Sequence, residues 1–416
     1  MTRRAKLTIA AIMTVTLILG GIAIYQAMVW DQRQAFDAAW AAYLDAGGPP
    51  SVDAIELPAV PDEENAGPHY RTAWGSLEPI GYRWTLALRI SSALRGEEHD
   101  DPLTDEERRE LVAEHETMLR EVIEISRMKQ CVWNPALFDL PPGQTQFDIE
   151  LPWLGPGGLV GQLLCLRAIT LAEEGRFDEV DESLVAALRL AEHLAEPPMT
   201  VTLLSRARLQ SDVFRAIERI HGRAGRASPK LAAALHEIDP RRGARQAFLV
   251  EGLRVQIPAR QLRSMTTTMD YRSPPRSSMR DMTKQRTVYL ERLLFNAEII
   301  ETSPAARVSQ VIIDPGYSFS SKQRLMEDLS PPYSYYDQQL SRAEVERELT
   351  RNALTILEYL ERNGTVPDVG LQPTDDPVTG NPLRYDRLSD TEFSLTSDSE
   401  FRQQRLHWNG SRHDTE

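Results

Sequence analysis

Acidic residues crowd the stretch Pro373-Thr-Asp-Asp-Pro-Val-Thr-Gly-Asn-Pro-Leu-Arg-Tyr-Asp-Arg387. Asp375 and Asp376, with Asp398 beyond them, are the residue types that supply oxygen ligands to a calcium ion. The same letters also build turns. Asp376-Pro377 and Thr379-Gly380 carry the side chains and backbone freedom that reverse a chain. Leu383 and Tyr385 then alternate as on a strand, as do Phe393 and Leu395, which leaves Arg387 to Thr391 as a hairpin tip. On this reading Asp376, Gly380 and Tyr385 are structural, with Tyr385 the buried aromatic. Calcium at Asp375, Asp376 or Asp398 is the alternative.

Other chemistry-bearing patterns are incomplete. His115-Glu116 and His236-Glu237 each open like the zinc spacing H-E-x-x-H, and neither has the second histidine. The glycines of Gly155-Pro-Gly-Gly-Leu-Val-Gly161 do not match G-x-G-x-x-G, and no Walker lysine is present, so this run reads as a helix-entry loop. No G-x-S-x-G elbow occurs, the eight histidines never cluster, and no carboxylate pair sits in apolar surroundings. The residues therefore name no catalytic group, cofactor or metal. An active site can still assemble from distant segments, so an unrecognised hydrolase stays as an alternative.

The formal net charge of −14 argues against general nucleic-acid binding. Residues 241–286 run the other way, with eleven Arg/Lys against three Asp/Glu. They read as a solvated loop, with a patch for anionic headgroups or an acidic partner as the alternative. Cys131 and Cys165 are too few for a disulfide framework. Cys165 lies in the apolar run LVGQLLCLRAI and reads as a buried free thiol; pairing in an oxidising compartment stays open.

The elements that must position any site begin with Leu7 to Trp30, 24 residues without a charge. As a helix this segment spans roughly 36 Å, enough for a bilayer core. Arg3, Arg4 and Lys6 precede it, and Asp31 and Asp37 lie beyond it, so the positive flank belongs in the cytoplasm and the bulk outside it. A cleavable signal peptide is the competing reading, but Ala23-Ile-Tyr-Gln-Ala27 offers no clean A-x-A site. The helix continues through AFDAAWAAYLDA, and Gly47 to Pro68 is a linker broken by GGPP and LPAVP.

Helical patterns dominate the rest of the chain. Thr104-Asp-Glu-Glu107 is a capping box, with Leu111, His115, Met118, Leu119 and Val122 at helical spacing after it. Residues 163–198 read as a helix pair with a break at Glu174-Gly175. Val180, Leu184, Ala187, Leu188, Ala191 and Leu194 form one buried stripe, stopped by Pro197-Pro198. A helix over roughly 199–222 comes next, then irregular chain over 266–336 around one short helix near 285–300. Ser341-x-x-Glu344 reads as the start of the last helix, which Asn363-Gly364 ends.

The pair at 163–198 resembles a single tetratricopeptide unit, L-A-x-x-G-x-x-x-E and then A-L-x-L. The order Tyr359-x-x-x-x-Gly364-x-x-Pro367, Asp376-Pro377 and a hairpin resembles the C-terminal part of type II secretion major pseudopilins. It is more similar still to the tail of uncharacterised bacterial proteins with one membrane anchor and D-P-F-[ST]-G-K-P-L-x-Y. The N-terminus lacks the prepilin motif G-F-T-L-I-E, and nothing after Ser397 matches the pseudopilin calcium loop.

The expectation is a mainly α protein: an anchor over 1–30, a helical extension and linker over 31–67, a helical domain over 68–336, a last helix with β-hairpin over 337–398, and a disordered tail over 399–416. Six to nine helices form the bundle. The expected function is a non-enzymatic interaction or scaffold protein, single-pass in a bacterial inner membrane, with lipid contact through Leu7 to Trp30 and a protein partner of unstated identity. An accessory part of a secretion or pilus-like machine is the alternative.

Overall fold

The computed structural model describes residues 3–75, 77, 80–95, 100–141, 144, 148–257, 279–307, 333–368, 373–399 and 405–409. Eleven α-helices and one small antiparallel sheet lie within them. The protein is mainly α. Its first helix, α1 (Arg3–Asp45), is unbroken, so the apolar segment and AFDAAWAAYLDA are one rod of about 65 Å. The described side chains from Ile12 to Trp30 are largely exposed, as a lipid-facing surface must be. α1 is long and apolar enough to cross a membrane.

Beyond Trp30 the rod changes role. Ala39 and Tyr43 are buried, and Phe36 and Trp40 pack beside them, on a core shared with α9 (Ala244–Glu251) and α10 (Met279–Ile299). The Tyr43 hydroxyl donates to the Leu249 carbonyl at 2.8 Å and lies 3.1 Å from the Pro49 carbonyl. Its ring fits between Gly48 and Gly252, where an added Cβ would come within 2.3 Å of it. Arg245 donates to Ala46 O at 2.6 Å, closing the same joint.

The central layer is α5 (Leu154–Glu173), α6 (Phe177–Leu194) and α7 (Thr200–Ala224). α5 is apolar enough to pass for a second membrane span, yet it is mostly buried inside the bundle, the place its composition predicts. All six residues of the α6 stripe are inaccessible or nearly so. Gly175, with φ +76°, makes the tight link before α6. α4 (Asp105–Ile125) starts with the reciprocal Thr104–Glu107 capping box. His115 is only half-buried; Val112, Met118, Leu119 and Val122 make that helix's contact, so its place on the stripe is corrected to the flank.

Among the described residues ten α-helices follow α1, more than the six to nine expected, because short ones form where the pattern is weak. α2 (Ala66–Ala73) begins inside the stretch read as linker. Asn65 caps it, accepting from Gly67 N, and also bonds both Val132 N and Val132 O. Pro68 sits in the first turn, where a missing N–H costs nothing. α3 (Ile80–Arg95) lies against α5, and α8 (Pro229–Glu237) against α6.

The last helix, α11 (Tyr333–Asn363), starts eight residues before the expected Ser341. Ser341 is buried mid-helix and accepts from Arg241 Nη2 at 2.7 Å, so it is not a cap. Arg241 also pairs with Glu344 and Asp337, and it is 1% exposed. That corrects the solvated-loop reading of 241–286 for its described part; residues 258–278 lie outside the described residues. Arg254 likewise pairs with buried Glu251.

After α11 come β1 (Arg384–Arg387), β2 (Glu392–Thr396) and β3 (Arg405–Asn409), antiparallel in the order β1-β2-β3. Tyr385 is paired with Leu395 in the first ladder, and Leu395 with Leu406 in the second. The polar tail predicts no structure from residue 399; β3 overturns this for five of its residues, since the free edge of β2 offers a row of unpaired backbone groups to be met. The hairpin has no core of its own. Leu383, Phe393 and Leu395 join the cluster formed by α4–α7 and α11.

Candidate functional site

The acidic turn closes on itself. Asp376 is 1% exposed, and its carboxylate is fully engaged locally. Oδ1 accepts from Val378 N at 2.7 Å and Thr379 N at 3.3 Å, and the other oxygen accepts from the Ser397 hydroxyl. Gly380 has φ +71°, and a Cβ there would meet Ala305 Cβ at 3.3 Å. Asp375 and Asp398 are exposed, Asp375 in an isolated bridge to Pro382. Among the described residues no three His, Cys, Asp or Glu side chains converge on a common point. Tyr385 is half-buried rather than buried. Its hydroxyl donates to Pro367 O at 2.8 Å, and its ring tilts against the inaccessible Phe393.

The structure instead gathers charged side chains elsewhere, around a cleft of about 590 Å3. Its walls are the chain leaving α4, the C-terminal part of α6, Arg206 of α7, and Glu237 to Gly243 beyond α8. On α6, Arg189, Glu192 and His193 recur at i, i+3 and i+4, so one helical face turns into the cleft, and Glu196 lines it just past the helix end. A second groove, of about 280 Å3, shares Arg127, Arg189 and Glu237 with the first and runs on between α6 and α8.

An aromatic ladder holds the floor. Tyr70 stacks on Trp74 at 5.2 Å and on Trp133 at 5.5 Å, and Trp133 stacks on Trp153 at 5.6 Å. Trp133 Nε1 donates to His193 O at 2.8 Å. Burial raises the Tyr70 hydroxyl well above its ordinary pKa, so it acts as donor to His193 Nδ1, 3.0 Å away. The imidazole also hydrogen-bonds the Met128 backbone, which leaves its proton on Nε2. Burial lowers His193 to about 4, against which the Met128 bond pulls only weakly. His193 is thus a neutral strut at physiological pH.

Arg206 and Glu192 carry the cleft's buried charge. Arg206 is 2% exposed, and its Nη2 donates to the carbonyls of Pro240 and Arg242. Its Nη1 stands 3.6 Å from Glu192, an ion pair too long for a hydrogen bond. Its Nε has no partner. Burial pushes the Glu192 carboxyl up, with Arg206 opposing, while Gln210 donates to it at 2.7 Å. Lys129 and Arg189 are exposed on the rim and make no hydrogen bond or ion pair among the described residues.

This arrangement can bind; its fit to catalysis is poor. Cys131 lines the cleft as a free thiol, and burial raises its pKa strongly, so no thiolate nucleophile forms there. Both ring nitrogens of His193 are occupied, so no free base stands beside it. An acid–base mechanism would have to use Glu192 or Glu196, the two cleft carboxyls that burial raises. Cys165, inaccessible in α5, is likewise free.

Comparison with known proteins gave no matching family model, no matching curated protein and no matching solved structure. The cleft residues escape a sequence reading because no short motif joins them. Two signals are present: the i, i+3, i+4 face of Arg189, Glu192 and His193 on α6, and Arg206 placed between Leu203 and Ala207 on the buried side of α7.

The turn makes a graded stability series. Asp375→Asn should lie within about 0.5 kcal/mol of wild type. Asp376→Ala should cost about 1–3 kcal/mol, by orphaning buried donors. Gly380→Val should cost about 1–3 kcal/mol, from the positive φ. Phe393→Ala should be the most severe, at about 3–5 kcal/mol, with Tyr385→Ala milder because its ring is half-exposed. Thermal melts of the full chain in detergent, with calcium and with chelator, check the order; a calcium-dependent melt lost in Asp376→Ala would contradict it.

For His193 the sign is fixed by linkage. A folded pKa near 4 against an unfolded value of about 6.5 gives stability that is present above pH 6.5 and lost as the pH falls to 4, up to about 3 kcal/mol. Glu218, raised to about 7 by burial, contributes with the opposite slope, so the wild type is compared with His193→Gln. The difference in denaturation free energy should shrink steadily from pH 6.5 to 4.5. Parallel curves would show that the imidazole is not held neutral.

Proposed function

We propose that this chain is a single-pass, membrane-tethered binding protein, non-enzymatic, which holds a helical domain on the outer face of a bacterial inner membrane and offers the cleft beside α4, α6 and α8 to a partner. The observation that supports this reading is where apolar surface is left uncovered. Large exposed apolar side chains run along α1 from Ile12 to Trp30 and on to Leu44. Outside α1, among the described residues, they are Leu88, Val201, Tyr335 and Leu388, scattered singly. Such scatter is ordinary for a surface in water, whereas the α1 stretch needs lipid. Arg3, Arg4 and Lys6 before it favour a cytoplasmic N-terminus. The domain offers no broad greasy face for a partner among the described residues, so the polar cleft is the feature that recognition would use.

A second reading is an accessory role in a secretion or pilus-like machine, drawn from the pseudopilin-like order of helix, turn and hairpin. Because Leu383, Phe393 and Leu395 belong to the main core, the surface free for such a role is the hairpin tip at Leu388.

A reporter active only outside the cytoplasm should work when fused after residue 250 and fail when fused at residue 5; the reverse would overturn the topology. In the same membranes, a photo-cross-linking residue at position 129 should give a discrete adduct, and one at position 362 should not. Equal labelling at both positions would count against the cleft, and an adduct confined to position 388 would favour the second reading.

A further inference from the structure

Arg206 is a buried charge in the cleft whose hydrogen bonds are incomplete. A guanidinium has five N–H donors. In Arg206 two are spent on the Pro240 and Arg242 carbonyls, Nε has no partner, and Nη1 falls short of Glu192 at 3.6 Å. The side chain is 2% exposed, so water does little to offset its charge. Its nearest acidic neighbour, Glu192, is a weakened counter-ion, because burial favours the protonated carboxyl, and Asp239 and Glu196 act on Arg206 from beyond ion-pair distance. The rim adds Lys129 and Arg189, exposed and unpaired among the described residues, and Arg242.

We propose that the cleft binds a carboxylate-bearing ligand, the carboxylate being taken between Arg206 on the floor and Lys129 and Arg189 on the rim. The inference rests on the reading of the cleft as a binding site and names the chemistry of what is bound. Five basic side chains line the cleft (Arg127, Lys129, Arg189, Arg206 and Arg242) against Glu192, Glu196 and Glu237, an excess of two positive charges when all are ionised. The chain as a whole carries −14, so the cleft is a local exception to a field that repels anions. A planar carboxylate matches the guanidinium fork. A phosphate would concentrate up to two charges on one group beside the glutamates that share the space, whereas each carboxylate brings one. A volume of about 590 Å3 admits either a free di-acid or the acidic side chains of a peptide. The adjoining groove, floored by Val185, Ala186, Ala233 and Ala234, would take the chain on either side of such a residue.

The test is titration calorimetry on the full chain in phosphatidylcholine nanodiscs at low salt. The probes are glutarate, an acetylated and amidated hexapeptide of glutamate, its glutamine counterpart, and inorganic phosphate. At least one carboxylate probe should bind and weaken about tenfold or more in Lys129→Gln/Arg189→Gln, with partial recovery in Lys129→Gln/Arg189→Lys. Arg362→Gln/Arg384→Gln, which removes the same charge from exposed positions outside the cleft lining, should bind as wild type. Binding of the peptide alone assigns the carboxylate to a protein segment; binding of glutarate as well shows that a free acid suffices. Equal binding of the glutamate and glutamine peptides would overturn the charge assignment and leave the cleft as a binding site. The proposal fails outright if no probe binds, if phosphate binds at least as well, or if both double variants lose affinity alike.

Discussion

One buried phenol joins the long apolar N-terminal helix to the domain. Tyr43 sits on α1, yet its ring and hydroxyl belong to the domain's interior, bonded to a carbonyl more than two hundred residues away in sequence. The hydroxyl is held well above its ordinary pKa by burial, and so serves as a donor throughout the physiological range. Because α1 runs from its apolar segment into the core without a break, the domain is joined to that segment by helix geometry and not by a flexible tether. Gly48 and Gly252 make room for the ring, and larger residues at either would force it out.

From that joint the structure is tied together by buried charges as much as by apolar contact. Arg241 reaches Glu344, Asp337, Ser341 and the Ile300 carbonyl, joining the end of α8 to α10 and α11. Asp212, inaccessible on α7, takes Arg95 at 3.0 Å and Gln162 at 2.9 Å. Such pairs cost desolvation, and removing one partner strands the other, so they specify how helices meet more than they stabilise. Arg206 is a member of this set whose hydrogen bonds are incomplete, and it lies in the cleft.

Much of the helical frame is legible in the sequence because its signals are local. The Thr104–Glu107 box, the α6 stripe, the Gly175 link and the Asn363-Gly364 stop each act within a few residues and appear where expected. What misleads is long range. Ser341 has the letters of a cap but is claimed by Arg241, one hundred residues away. The arginines after residue 240 look like a solvated run because single-sequence reading cannot see Glu344 or Glu251 opposite them. Tyr385 reads as buried from strand alternation, while depth in fact falls to Phe393 and Leu395, which join the core beside α11. The cleft is hard to read for the same reason: it is assembled from separate segments, and of its charges only Arg206, between Leu203 and Ala207, stands on a buried stripe.

Whether α1 is one rigid piece from its apolar segment to the core decides how the domain is held, and hydrogen exchange of the full chain in nanodiscs measures it directly. Amides of residues 36–45 should be protected to within about tenfold of those in α10, since both helices share one buried interface. Exchange of 36–45 at the rate of an unprotected helix, with α10 still slow, would mean that the domain hangs from a free tether, and would contradict the rigid joint at Tyr43.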